Sequence, residues 1–162
     1  NNIRNATDIN QIVGENNPYT ILFSPVNSAY SGHYQALFYT NDSYYFFDSY
    51  GHNYTALYNK VNNAYGKGAF NNSDIIGKLL LKSGKPIYMN VYAYQSNSAL
   101  DDTCGRHSVC CLIYFIKNIE QGIKYDFNTY YTDLTLYKTN HKLETYDDVV
   151  IKITNRYMNH VY

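Results

Sequence analysis

The feature that most constrains this chain is a pair of aromatic, apolar runs around a polar turn cluster. Tyr34 to Tyr39 and Tyr44 to Phe47 flank Thr40-Asn41-Asp42-Ser43. That pattern predicts a β-hairpin, with Ser49-Tyr50-Gly51 ending its second strand. In a hairpin the start of one strand lies beside the end of the other. His33 stands at the mouth of the first strand, in Ser31-Gly32-His33-Tyr34, and Asp48 at the far end of the second, in Phe46-Phe47-Asp48-Ser49. The hairpin would therefore bring an imidazole and a carboxylate together, as a general base and its orienting partner require. An apolar run is also a poor place to end on a carboxylate that has no partner.

The rest of the chain reads as strands and helices around this hairpin. Tyr19 to Ser24 reads as a strand and Ala6 to Val13 as a short helix. Leu57, Val61 and Ala64 are spaced as on one face of a helix over Tyr54 to Ala64. Ile75 to Leu81 fits a strand or a helix. Pro86 precedes Ile87 to Tyr94, read as a strand with Ile87, Met89, Val91 and Ala93 on one face. A polar loop from Gln95 to Thr103 leads to Cys104-Gly105, and Val109 to Ile116 then reads as a buried helix. The sequence beyond it is polar and Tyr-rich until a last helix over Asp147 to Met158, with Val150, Ile153 and Tyr157 in register. The expected class is α+β: a central mixed or antiparallel sheet packed by helices. Without repeats or a Pro/Ser-rich linker, 162 residues suit a single domain, 1–162.

Composition removes several function classes. Thirteen basic and thirteen acidic residues cancel, so no net field draws nucleic acid or anionic lipid. No apolar run approaches the ~20 residues of a membrane span. The opening Asn1-Asn2-Ile3-Arg4 is unlike a signal peptide. Three cysteines, with Cys110 and Cys111 adjacent, argue against a disulfide framework and for a reducing compartment. No Cys/His cluster has zinc spacing and no glycine-rich phosphate loop occurs, so neither a metal nor another cofactor is expected.

The remaining chemistry gathers at Cys104. A cysteine that opens a helix sits in the positive field of that helix, which stabilises a thiolate. Gly105 would let a substrate carbonyl approach the N–H groups of the first turn. Gln95, ahead of the nucleophile, could donate its side-chain N–H to an oxyanion.

In chain order the sequence has Gly32-His33-aromatic Tyr34, a hairpin, Phe47-Asp48-x-Tyr50-Gly51, then Gln95-Ser96-Asn97-Ser98, Cys104-Gly105 and the paired Cys110-Cys111. Over roughly Thr20 to Phe115 this order resembles the adenovirus-type (adenain-like) cysteine proteases, including those of virophages and Polinton elements. Their clan also contains the SUMO and ubiquitin-like-protein proteases. The resemblance implies Cys104 as nucleophile, His33 as base, Asp48 as its acidic partner and Gln95 in the oxyanion hole. Gly32, Tyr34 and Gly105 are the expected substrate-binding positions. The chain departs from the pattern in several places. Tyr34 stands where Trp is usual, Asp48 where adenoviruses often have Glu, and Ala99 to Asp102 lengthen the loop before the cysteine. Arg106-His107 replace apolar residues.

The resemblance further implies a viral maturation endopeptidase that trims capsid or scaffold precursors at small-residue, Gly-rich sites. It would work as a monomer in the virion or in the viral factory of the host cytoplasm. Zero net charge and the lack of a cysteine outside the core helix predict little DNA dependence and no disulfide-linked activator. A ubiquitin-like-protein protease, a same-clan acyltransferase and a non-enzymatic capsid component are the alternatives. The plainer reading of Cys104 is a buried thiol and of His33 a strand-end histidine. Cys110 and Cys111 read as core. His52, His107, His141 and His160 read as surface residues, and Asp101 and Asp102 as solvated loop charges.

Overall fold

The computed structural model describes residues 3–28, 31–52, 71–96 and 103–158. Strands β1 (Tyr19–Ser28), β2 (Ser31–Thr40), β3 (Ser43–Phe47) and β4 (Ile87–Met89) form one four-stranded sheet in the order β1-β2-β3-β4. The first two pairings are antiparallel, whereas β4 runs parallel to β3. The α-helices among the described residues are α1 (Asn71–Lys82), α2 (Cys104–Glu120), α3 (Phe127–Asn140) and α4 (Tyr146–Met158). The class is α+β with a mixed sheet, as the patterning predicts.

The hairpin forms because its turn chemistry suits a two-residue loop. Asn41 and Asp42 both take positive φ, 49° and 57°, as a twist-matched hairpin turn requires. Asp42 accepts a hydrogen bond from the Tyr39 hydroxyl at 2.8 Å and pairs with Lys85 at 2.7 Å, which ties the turn to the start of β4.

Both faces of the sheet are covered there, so β2 over 36–39 and β3 over 44–47 are apolar on both sides rather than alternating. Ala36, Phe38 and Phe47 face α2, α3 and α4, where they meet Cys111, Phe115, Tyr130 and Val150. Leu37, Tyr39, Tyr44 and Phe46 face α1 and the N-terminal segment, where they meet Leu80, Ile76, Ile9 and Val13. The ambiguous stretch Ile75 to Leu81 is helical because Ile76, Leu79 and Leu80 form the stripe that covers this second face. Helix α2 lies on the first face through Phe115, whose ring centre is 4.4 Å from that of Phe38.

Some expectations need correction. The strand predicted over Ile87 to Tyr94 stops at Met89, and Val91 beyond it is 77% exposed. The cause is Asn90, whose side chain replaces the ladder: it accepts from the Asp48 N–H at 2.8 Å and donates to the Asp48 carbonyl at 2.7 Å. Gly51 then passes so close to Tyr92 that a Cβ would stand 3.0 Å from its backbone, and its φ of +71° lies in the left-handed region that favours glycine. In place of the short helix over Ala6 to Val13 there is one 3₁₀ turn, Ile9–Gln11, and a second, Ile3–Asn5, precedes it. Helix α3 was not expected. Its signal was Asp126, which caps the Thr129 N–H at 2.8 Å, ahead of buried Phe127, Tyr130 and Leu134. The helix expected over Tyr54 to Ala64 and the insertion Ala99 to Asp102 lie outside the described residues.

Candidate active site

Strand β2 outruns β3. Its last pairing with β3 on this side is Ala36 with Phe47, while His33 pairs only with Ser24 of β1. Asp48 follows β3 directly and fills the space that β3 vacates. His33 and Gln35 point to the same side of β2 because strand side chains alternate. Both reach the same oxygen: His33 Nε2 and Gln35 Nε2 are each 2.9 Å from Asp48 Oδ2. The other oxygen, Oδ1, accepts the Tyr50 N–H at 2.8 Å. The carboxylate is fully buried yet satisfied on both oxygens.

Cys104 is the first residue of α2 and is buried. Its Sγ accepts the Tyr34 backbone N–H at 3.5 Å, so the helix start lies against β2 one residue past His33. The His33 side chain is hydrogen-bonded to Cys104 as well as to Asp48. With Nε2 on the carboxylate, Nδ1 is the nitrogen left for the thiol. Burial by itself would lower the pKa of His33. Its hydrogen bonds to Asp48 and Cys104, and their charges, outweigh burial and raise it to about 9. Burial would likewise raise the pKa of Asp48, but His33, with help from His52 and Gln35, holds it well below the usual carboxylate range. Tyr50 stacks on the imidazole at 5.2 Å and limits its rotation.

Gln95 is tied to the residue that follows Asp48. Its amide oxygen accepts from Ser49 Oγ at 2.7 Å, and its backbone N–H donates to the Ser49 carbonyl at 3.0 Å. Binding through the oxygen turns the NH₂ end of the amide away from Ser49. Gly32 has a packing reason to be glycine, since a Cβ would lie 2.3 Å from the Ser24 carbonyl. Tyr34 is 40% exposed, and its ring is 3.5 Å from where a Gly105 Cβ would stand.

Thus His33, Asp48, Cys104 and Tyr34 meet at one end of the sheet, and Gln95 reaches the same end through Ser49. No protein-family model matches the chain, and no curated protein matches it. The site is therefore read from its own geometry.

Two histidines differ from expectation. His107 is fully buried, not a surface residue, and its Nε2 is 3.0 Å from Asp147 Oδ1. That bond directs the ring to α4. His52 is half-buried, with Nδ1 at 3.7 Å from Asp48 Oδ1, close enough for electrostatic attraction but too far for a hydrogen bond. His160 lies outside the described residues. Sequence reading also missed Gln35, Ser49, Asn90, Thr103 and Asp147. Gln35 was accessible, standing two positions beyond His33 on a strand. The others become partners only through tertiary folding. Among the described residues no three His, Cys, Asp or Glu side chains converge as a metal site requires, and no helix is long and apolar enough to cross a membrane.

Proposed function

We propose that this protein is a cysteine endopeptidase with Cys104 as nucleophile, His33 as general base and acid, and Asp48 as the group that orients His33. The observation that carries the reading is the buried chain from Asp48 Oδ2 to His33 Nε2, at 2.9 Å, and on from His33 to Cys104. A buried imidazole held between a satisfied carboxylate and a thiol at a helix start is what an activated sulfur nucleophile needs.

In the first step Cys104 Sγ attacks the scissile carbonyl carbon, with its proton held on His33. The developing oxyanion is stabilised by N–H groups of the first turn of α2 and by the Gln95 amide. His33 gives its proton to the leaving amine, and a thioester remains on Cys104. His33 then takes a proton from water, whose oxygen attacks the thioester; the acid is released and the thiol restored. Asp48 keeps the imidazole in one orientation and balances its charge throughout.

The order of motifs, similar to that of adenovirus-type maturation proteases, supports a structural-precursor polypeptide cut at small-residue sites as the substrate. An electrophilic probe tests the assignment directly. A Gly-Gly peptide bearing a C-terminal vinyl sulfone is expected to form one adduct by intact mass, mapped to Cys104. His33→Ala and Cys104→Ala are both expected to lose it. Labelling that is indifferent to His33→Ala would sink the reading.

A further inference from the structure

We propose that Asp147, on α4, is a positioning residue for the nucleophile: it holds both ends of the segment that leads from Gln95 to Cys104 and keeps Thr103 from capping α2. The inference rests on the peptidase reading above.

One buried carboxylate gathers three groups from different parts of the chain. Asp147 Oδ2 accepts the Ser96 backbone N–H at 3.0 Å. Its Oδ1 accepts the Thr103 hydroxyl and, at 3.0 Å, His107 Nε2. Ser96 adjoins Gln95 and Thr103 adjoins Cys104, so one side chain of α4 fixes the residue beside the oxyanion donor and the residue beside the nucleophile. His107 lies one turn into α2 and fixes the helix axis against the same carboxylate. Its Nδ1 is buried and has no hydrogen-bond partner among the described residues, where the bond to Asp147 is the polar contact that holds the ring.

The second consequence concerns the helix start. Threonine is a favoured N-cap residue, and in that role its hydroxyl takes an N–H of the first turn. Thr103 occupies the N-cap of α2 but makes no such bond, and its backbone, at φ −101° and ψ 0°, is not the extended one from which a cap reaches back. Its hydroxyl goes to Asp147 instead. No acidic side chain stands in the first turn either. The first-turn amides that the cap would have taken therefore stay available to a substrate oxyanion. An ordinary capped helix would be more stable and less useful.

Alkylation by iodoacetamide, followed for each cysteine by mass spectrometry, tests this in Asp147→Asn and Thr103→Val. Cys110 and Cys111 report global opening, because both are buried in the core. If Asp147 positions the nucleophile, Cys104 in both variants reacts about tenfold or more slowly than wild type near pH 6 and recovers above pH 9. Cys110 and Cys111 stay protected, and amide exchange at Ser96 accelerates in Asp147→Asn. Wild-type Cys104 reactivity retained in Asp147→Asn and Thr103→Val overturns the positioning role and leaves the peptidase reading intact. Should Asp147→Asn expose all three thiols, Thr103→Val decides alone, since it removes one hydroxyl and keeps the shape. Slow, His33-independent alkylation of Cys104 in the wild type overturns both proposals together.

Discussion

At Asp48 the immediate neighbours matter more than burial. Moving a carboxylate into a protein interior favours its neutral form, yet here three N–H donors, led by the His33 imidazole, reverse the balance. The same pairing raises His33 to about 9 from its ordinary 6.5. A histidine whose pKa rises on folding stabilises the native state fully below its unfolded value and progressively less up to its folded one. His33 therefore contributes stability at pH 6 that fades between about 6.5 and 9, and Asp48 contributes above its unfolded value of 3.8. Urea midpoints measured across that range should fall with rising pH in wild type more than in His33→Gln. Peptide cleavage should fall away near pH 9 as His33 loses the proton it must give to the leaving amine. Asp48→Asn leaves a donor where His33 needs an acceptor. Replacements of that kind in hydrolase triads cost about 10⁴-fold in kcat, and a loss on that order is expected here by steady-state kinetics. His33 and Asp48 were legible because one hairpin joins them. Asp147 was not, because Ser96, Thr103 and His107 meet it only after α4 has docked.

The elements of this fold position the site through where they end. Strand β3 stops at Phe47 and so leaves room for Asp48 beneath His33. Strand β4 stops at Met89, and the Asn90 amide then takes both backbone groups of Asp48 as a further strand residue would. Asn90→Ala leaves a buried N–H and C=O unsatisfied, an expected loss of about 1–3 kcal/mol per group by urea unfolding. Gly32→Ala pushes a methyl against the Ser24 carbonyl and the Phe23 ring. Overpacking of that kind typically costs about 1–3 kcal/mol, and here it also shifts the strand that bears His33. Helix patterning in the sequence was plain where a stripe faces a broad apolar surface, as in α2. Helix α3 was obscured because tyrosines cover both its sides, so buried Tyr130 and half-exposed Tyr131 look alike in sequence. For β4 the apolar alternation continued past the strand end, and only the Asn90 bonds reveal where pairing stops.

Across the whole molecule, the sheet separates two apolar layers, and the polar side chains of the site collect where β2, the start of α2 and the Ser49–Gln95 crossing meet. Burial acts on the thiols of Cys110 and Cys111. It raises Cys110 to about 12 and Cys111 well above the usual thiol value, so neither is a nucleophile at neutral pH. Phe115, wedged between Phe38 and Tyr125, joins α2, which begins at Cys104, to the sheet that bears His33. Phe115→Ala should cost about 3–5 kcal/mol in thermal or chemical unfolding and make all three cysteines react together. The most direct test of the relay is the rate of alkylation of each cysteine as a function of pH, in wild type and in His33→Ala. A working relay gives fast reaction at Cys104 alone near pH 6, lost in the variant, with Cys110 and Cys111 silent in both. If Cys104 instead responds only near pH 8.5, as an ordinary thiol does, and His33→Ala changes nothing, His33 does not activate Cys104 and the peptidase assignment is wrong.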